Sequence, residues 1–162
     1  MTSLIERRIV NPSWRSNKKD NEKEPSVDDS DSFSLSELDF SFTSDKTKIL
    51  INNGIHPGEP DGIDASMSLV RDLALNKIKT SRNTQIIVIP VYNIGGMLNR
   101  NSSSRANQNG PEAYGFRGNG RNYDLNRDFI KSDTKNSRSF QALFHLVEPD
   151  VFLDNHVSNG AD

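Results

Sequence analysis

The sequence predicts an α/β fold with a partial, mostly parallel sheet and flanking helices. Three observations predict it. Short continuous apolar runs recur at 49–51, 86–89 and 151–153, the mark of strands buried on both faces. Two amphipathic stretches, 61–79 and 137–147, stand between those runs. Strand therefore alternates with helix, and such alternation is the pattern of βαβ units.

Each element has its own reason. Leu4, Ile5, Ile9, Val10 and Trp14 are compatible with a short strand that nothing else in the sequence fixes. Ten of the 17 residues from Arg15 to Asp31 are charged, and Val27 is the single apolar side chain among them. Such a run buries too little surface to offset its ordering entropy, so it reads as disordered or as an excursion loop. Apolar residues return at Phe33, Leu35, Leu38, Phe40 and Phe42, where Ser34 or Ser36 can cap one helical turn. Residues 1–44 thus form a variable, partly disordered segment, and a folded domain begins at 45. Ile49-Leu50-Ile51 marks a strand near 47–53. Ile63, Met67, Val70, Ala74 and Ile78 share one stripe of the helix that follows, with Asp61 suited to cap its start. Ile86-Ile87-Val88-Ile89 marks a second strand near 85–92. Phe140, Leu143, Phe144 and Val147 form the stripe of a second helix, which Pro149 stops. Val151-Phe152-Leu153 marks a third strand near 150–156.

Composition narrows the function. The 162 residues carry 20 Lys and Arg against 22 Asp and Glu, a net charge of −2. That balance lacks the basic excess of a general nucleic-acid binder. Cysteine is absent, so disulfides and thiolate chemistry are excluded. No apolar run approaches the roughly 20 residues that span a bilayer, and residues 1–10 lack the apolar stretch of a signal peptide.

In open α/β sheets, sites form beyond the carboxyl ends of the strands. The first such place reads Asn52-Asn53-Gly54-Ile55-His56-Pro57-Gly58-Glu59. A tight turn is needed for His56 and Glu59 to converge on one ion, and Pro57 and Gly58 suit one, the glycine by permitting unusual torsions. The third place reads Leu153-Asp154-Asn155-His156. Two imidazoles and one carboxylate, with a position left open to water, make a catalytic zinc ligand set. The remaining histidine, His145, lies within the second helix and reads as a partly exposed surface residue. Between these places, residues 93–126 hold eight asparagines. Residues 93–123 carry Arg100, Arg105, Arg117 and Arg121 against Glu112 alone. That local excess suits an anionic substrate group, and a loop so long inside a domain is usually functional or disordered.

Three motifs agree in order: His56-Pro57-Gly58-Glu59; Arg117-x-Asn119 leading into Asp124-Leu125-Asn126-Arg127-Asp128-Phe129; and Asp154-Asn155-His156. Over about residues 45–162 the chain resembles the zinc carboxypeptidases, the carboxypeptidase A-like metallopeptidases. The resemblance implies Zn2+ held by His56, Glu59 and His156. It implies that Asp124 orients a zinc histidine and that Arg117 polarises the scissile carbonyl, with Arg121 a rival of poorer spacing. Asn126 and Arg127 would hold the substrate's C-terminal carboxylate, which a guanidinium can grip bidentately. The implied activity is peptide hydrolysis at a free C-terminus by zinc-activated water, acting on a peptide or protein. The family's general-base glutamate, capping tyrosine and specificity pocket lie well beyond the third ligand, and its Gly-Arg-rich opening hairpin is not found ahead of the first. The resemblance therefore implies a truncated zinc carboxypeptidase-like fold, the N-terminal half of the catalytic domain, with the base expected beyond Asp162. Two alternatives stand. One is a desuccinylase- or aspartoacylase-like zinc amidohydrolase, although those proteins resemble His-Gly-Asn-Glu at the first ligand pair. The other is a non-catalytic zinc- or peptide-binding fragment.

Overall fold

The computed structural model describes residues 45–105 and 110–157. The expectations for 1–44, namely the early strand, the disordered run and the helical turn, lie outside the described residues. In chain order the elements are β1 (Thr47–Asn52), α1 (Asp61–Ala74), β2 (Thr84–Ile89), α2 (Ile94–Leu98), β3 (Arg100–Asn101), β4 (Tyr114–Gly115), α3 (Leu125–Asp128), α4 (Lys135–Val147) and β5 (Val151–Asp154). The main sheet has the order β2-β1-β5. Both pairings are parallel, as the sequence predicts; the order itself comes from the structure. Ile49 lies opposite Ile86 on one side and Val151 on the other, and Asn52 opposite Ile89 and Asp154. From β1 the chain crosses to one side through α1 and returns to the other through α4. The crevice at the carboxyl end of β1 is therefore a topological switch point.

Burial differs from the expectation of strands covered on both faces. Leu50 at the sheet centre is fully buried, yet β2 is only half-buried along its length. Val151, Phe152 and Leu153 on β5 remain 42%, 37% and 45% exposed. In a three-stranded sheet only the middle strand has a neighbour on each side, and of the three it alone has buried positions, Leu50 and Asn52. An aromatic cluster fills the space under α4: the Phe140 ring lies 5.4 Å from Tyr92, 5.2 Å from Phe129 and 5.6 Å from Phe152.

The helices follow the predicted stripes in part. In α4, Phe140 and Val147 are buried and Leu143 and Phe144 half-buried, as expected. The Thr134 hydroxyl caps its start by accepting from the Ser137 N–H, and Glu148 ends it in the left-handed region at φ 49° just before Pro149. In α1 the buried face runs through Ile63, Ser66, Val70 and Leu73, while Met67 and Ala74 are exposed. The stripe is turned towards position 66, because Ser66 satisfies its own hydroxyl on the Ile63 carbonyl at 2.9 Å and so can be buried. The helix also ends at Ala74 rather than 79. Asn76 adopts φ 56° and donates to Leu73 O, while Lys77 N donates to Asp72 O at 2.9 Å. Those two bonds make a Schellman stop. Asp61 is the first helical residue rather than the cap; Pro60 holds the cap position. With Asp64, Asp61 places negative charge in the first turn, where it favours the helix dipole. Among the described residues no helix is long and apolar enough to cross a membrane.

Candidate metal centre

The site is built at the end of β1. Asn53 N and its side-chain amide both donate to Ile89 O at 3.1 Å, tying the loop to the neighbouring strand. The chain then turns at Gly54, whose φ of +65° favours glycine. Glu59 N donates to His56 O at 2.9 Å and closes the next turn. Gly58 serves this turn by its small size, not by an unusual torsion: a Cβ there would meet Gly115 O at 2.9 Å and Arg105 Cδ at 2.8 Å. The turn is buried, with His56 3% and Glu59 6% exposed.

His156, just beyond β5, completes a cluster. One ligand atom each from His56, Glu59 and His156 lie within 4.8 Å of one another, a group able to hold a metal ion. Glu59 Oε1 is 3.2 Å from His56 Nδ1, and Oε2 is 3.2 Å from His156 Nδ1. The two rings stand edge to face with centroids 5.2 Å apart. Behind them, His56 Nε2 lies 3.0 Å from Asp124 Oδ1 and His156 Nε2 lies 2.9 Å from Asp154 Oδ2. Each imidazole thus turns one nitrogen to a supporting aspartate and the other to Glu59.

That arrangement has an electrostatic consequence. A neutral imidazole whose Nε2–H faces an aspartate presents only a lone pair at Nδ1. Lone pair would then face carboxylate oxygen at both histidines. Either a second ring proton or a cation placed between them relieves the repulsion. Imidazole nitrogen and carboxylate oxygen are donors that suit zinc. Burial pushes the Glu59 carboxyl up, but His56, the Val157 N–H at 2.8 Å and the Arg105 guanidinium at 2.8 Å outweigh it and hold the pKa at about 2. Glu59 is therefore a carboxylate at any ordinary pH.

Asp124 joins three further parts. Burial raises its carboxyl, but His56 and Arg117 outweigh that and leave it below the usual range. Its Oδ1 caps α3 by accepting from Asn126 N at 3.0 Å, and its Oδ2 accepts from Arg117 Nε at 2.9 Å. Arg117 Nη1 also reaches His56 Nδ1 at 3.4 Å. So His56, Glu59, His156, Asp124 and Arg117 form one contact network. Asn126 and Arg127 sit on α3, whose start the Asp124 cap ties to that network; among the described residues no hydrogen bond or ion pair joins either side chain to it. Arg121 is exposed, and its backbone N donates to Asn119 Oδ1. His145 is an exposed residue of α4 beside Phe144.

Two contacts were not anticipated from the residues alone. Arg105 ion-pairs with Glu59, and its backbone is clasped by the buried Tyr114 hydroxyl, which accepts from Arg105 N at 3.0 Å and donates to Arg105 O at 3.2 Å. Asp154 holds the far nitrogen of His156 while accepting from the Asn52 amide at 2.9 Å. The polar pair Asn52-Asn53 ending an apolar strand was the available signal for the second contact. Nothing distinguished Arg105 from the other loop arginines.

The chain is 29% identical over 117 residues to Carboxypeptidase 2 of Trichophyton tonsurans and of Trichophyton equinum, covering 70% of this chain and 19% of each relative. Probable carboxypeptidase 2 of Trichophyton verrucosum (strain HKI 0517) is 29% identical over the same length, with 20% of that protein covered. The chain thus spans about a fifth of the length of these curated relatives. No solved structure matches it. The zinc carboxypeptidase family model matches residues 15–149, a span that includes His56, Glu59, Arg117 and Asp124 and ends before His156. Most of the sequence lies within that match, and the chain belongs to the zinc carboxypeptidase family.

Proposed function

We propose that residues 45–162 carry the metal-binding and carboxylate-recognising part of a zinc-dependent metallocarboxypeptidase that removes residues from the free C-terminus of a peptide or protein. The observation that carries this reading is the convergence of His56, Glu59 and His156 within 4.8 Å at the end of β1. These three residues would hold Zn2+. When bound, zinc supplies a Lewis acid that polarises a carbonyl and acidifies water.

The chain's own residues do the rest. Asp124 orients His56 and keeps Arg117 beside it. Arg117 donates to the oxygen on which negative charge develops, a form of stabilisation worth most where water is excluded. Asn126 and Arg127, presented on α3, bind the substrate's terminal carboxylate and fix its register. Arg105 fixes one oxygen of Glu59 and, after His56 and the Val157 N–H, adds to what keeps it ionised. Asp124 and Asp154 are each committed to a histidine. The general-base glutamate that the family resemblance implies is assigned to polypeptide outside these residues. The names of the Trichophyton relatives support peptidase over amidohydrolase.

The test is hydrolysis of a blocked dipeptide by a longer polypeptide carrying these residues, with the terminal carboxylate free or amidated. The reading requires strong preference for the free acid. Equal rates on both substrates would overturn the carboxylate assignment.

A further inference from the structure

We infer that Asp154, held in place by Asn52, is a positioning residue that fixes His156 as its Nε2–H tautomer and so aims the Nδ1 lone pair at the metal position. The inference rests on the zinc reading above and deepens it. It gives the second histidine a support matching the one Asp124 gives the first.

Three features of the structure carry it. First, the geometry is direct: His156 Nε2 lies 2.9 Å from Asp154 Oδ2, while Nδ1 faces Glu59 Oε2 at the longer distance of 3.2 Å. A carboxylate oxygen only accepts, so the shorter contact calls for the ring proton on Nε2. Second, Asp154 is itself placed. It lies in register opposite Asn52 across the β1–β5 pairing, and the Asn52 amide donates to its other oxygen at 2.9 Å. The carboxylate is therefore fixed at both oxygens, and the ring it holds has little freedom to rotate. Third, Asn52 is completely buried and its Oδ1 has no hydrogen-bond partner among the described residues. An unpaired buried carbonyl is a cost that folds rarely tolerate without a return. Turning the amide over would set Oδ1 against the Asp154 carboxylate, acceptor against acceptor. The amide is thus committed to Asp154, and through it to His156.

A metal-binding histidine ordinarily donates its other ring N–H to a carboxylate, carbonyl or water, and removal of that partner commonly weakens metal binding 10- to 100-fold. The backbone supports the same ring from the other side. Asn155 N donates to Asn52 O at 3.0 Å, and Val157 N donates to Glu59, so the residues flanking His156 are both tied down. The aspartate two residues before His156 therefore acts on the ring, which shares its strand end, rather than on a substrate.

The experiment is two-bond 1H–15N correlation of the histidine side chains in the 162-residue chain. It is recorded metal-free, at a pH raised until the spectrum shows a single proton on the His156 ring, for the parent, Asp154→Asn and Asp154→Ala. The expected parent spectrum has His156 protonated at Nε2. In Asp154→Ala that tautomer gives way to a mixture, and zinc affinity, read against a chromophoric chelator, falls about 10- to 100-fold. Asp154→Asn, which keeps one acceptor oxygen, falls between the two. A residue needed for stability alone would lower the melting temperature and leave the tautomer where it was. A parent chain with His156 protonated at Nδ1 overturns the inference whether or not either variant folds. So does an unchanged tautomer in a folded Asp154→Ala. Absence of zinc binding by a parent chain with the Nε2–H tautomer would instead count against the metal reading.

Discussion

At the scale of single residues, the site assigns different work to side chains of the same type. Arg105 and Arg117 both meet acidic partners, but Arg105 is 15% exposed against Glu59 while Arg117 is 44% exposed against Asp124. On the proposed function, the more exposed guanidinium is the one that meets a substrate oxygen. In an active longer polypeptide, Arg117→Ala should lower kcat by about 100-fold or more, the size of effect seen when one oxyanion donor is removed. Arg127→Ala should instead raise KM for free-acid substrates with a smaller change in kcat. Steady-state kinetics on one substrate checks both, and the reverse pattern would exchange the two roles. His145, exposed on α4, supplies the control: His145→Ala should leave zinc affinity unchanged within a factor of about two, since surface changes away from a site are usually near neutral. The zinc-ligand candidates were legible in the sequence because a histidine follows a strand end twice, the first time in a turn that also carries Glu59. Arg105 was not, because its backbone is held by Tyr114 of β4, a contact between residues nine apart that periodicity cannot see.

At the scale of elements, the short pieces carry the positioning. α3 has four residues and cannot be stable alone. It is held at its start by Asp124 and at its end by Asp128, a buried carboxylate that accepts from Thr134 N at 3.0 Å, from Thr134 Oγ1 at 2.6 Å and from Ser137 Oγ at 2.5 Å. Burial raises the Asp128 carboxyl, but those donors outweigh it and hold its pKa far below the ordinary range. A carboxyl depressed in the folded state adds stability that is complete above its unfolded pKa, about 3.9, and is lost as the pH falls from there towards the folded value. Asp128→Asn should therefore cost about 2–3 kcal/mol near pH 7, because it puts an NH2 group among donors. The cost should shrink below about pH 4, where the parent loses its own advantage. Urea unfolding at pH 7 and pH 3 checks this, and an equal loss at both would show that the charge is not what matters. α1 teaches a related lesson. Its apolar spacing continues to Ile78, but Asn76 takes φ 56° and the helix stops at Ala74. Asn76→Gly should be neutral or slightly stabilising and Asn76→Ala destabilising by about 1 kcal/mol, as left-handed positions generally behave. Thermal melts of the two variants compare them. A stripe reports which face is apolar; only a local stop signal reports where the helix ends.

At the scale of the whole molecule, a parallel three-stranded sheet collects its chemistry at one end. The strand runs and their parallel order were legible because continuous apolar stretches separated by helices leave few topologies. The exposure of β5 was not, because a sequence reports apolarity and not what covers it. Val151, Phe152 and Leu153 stand at a strand edge and are 42%, 37% and 45% exposed. Open apolar edges invite pairing with other chains. The 162-residue chain should therefore associate as its concentration rises, and Val151→Lys should reduce that association. Sedimentation velocity across a dilution series checks it, and a monomer at all concentrations would contradict it. On the proposed function, two strand ends and one turn form a single zinc site. The measurement that tests it most directly is a zinc titration of the chain against a chromophoric chelator, repeated for His56→Ala, Glu59→Ala and His156→Ala. One zinc per chain is expected, with more than about 100-fold weaker binding in each variant, since each removes a ligand outright. Binding that survives unchanged in any one of the three would contradict it.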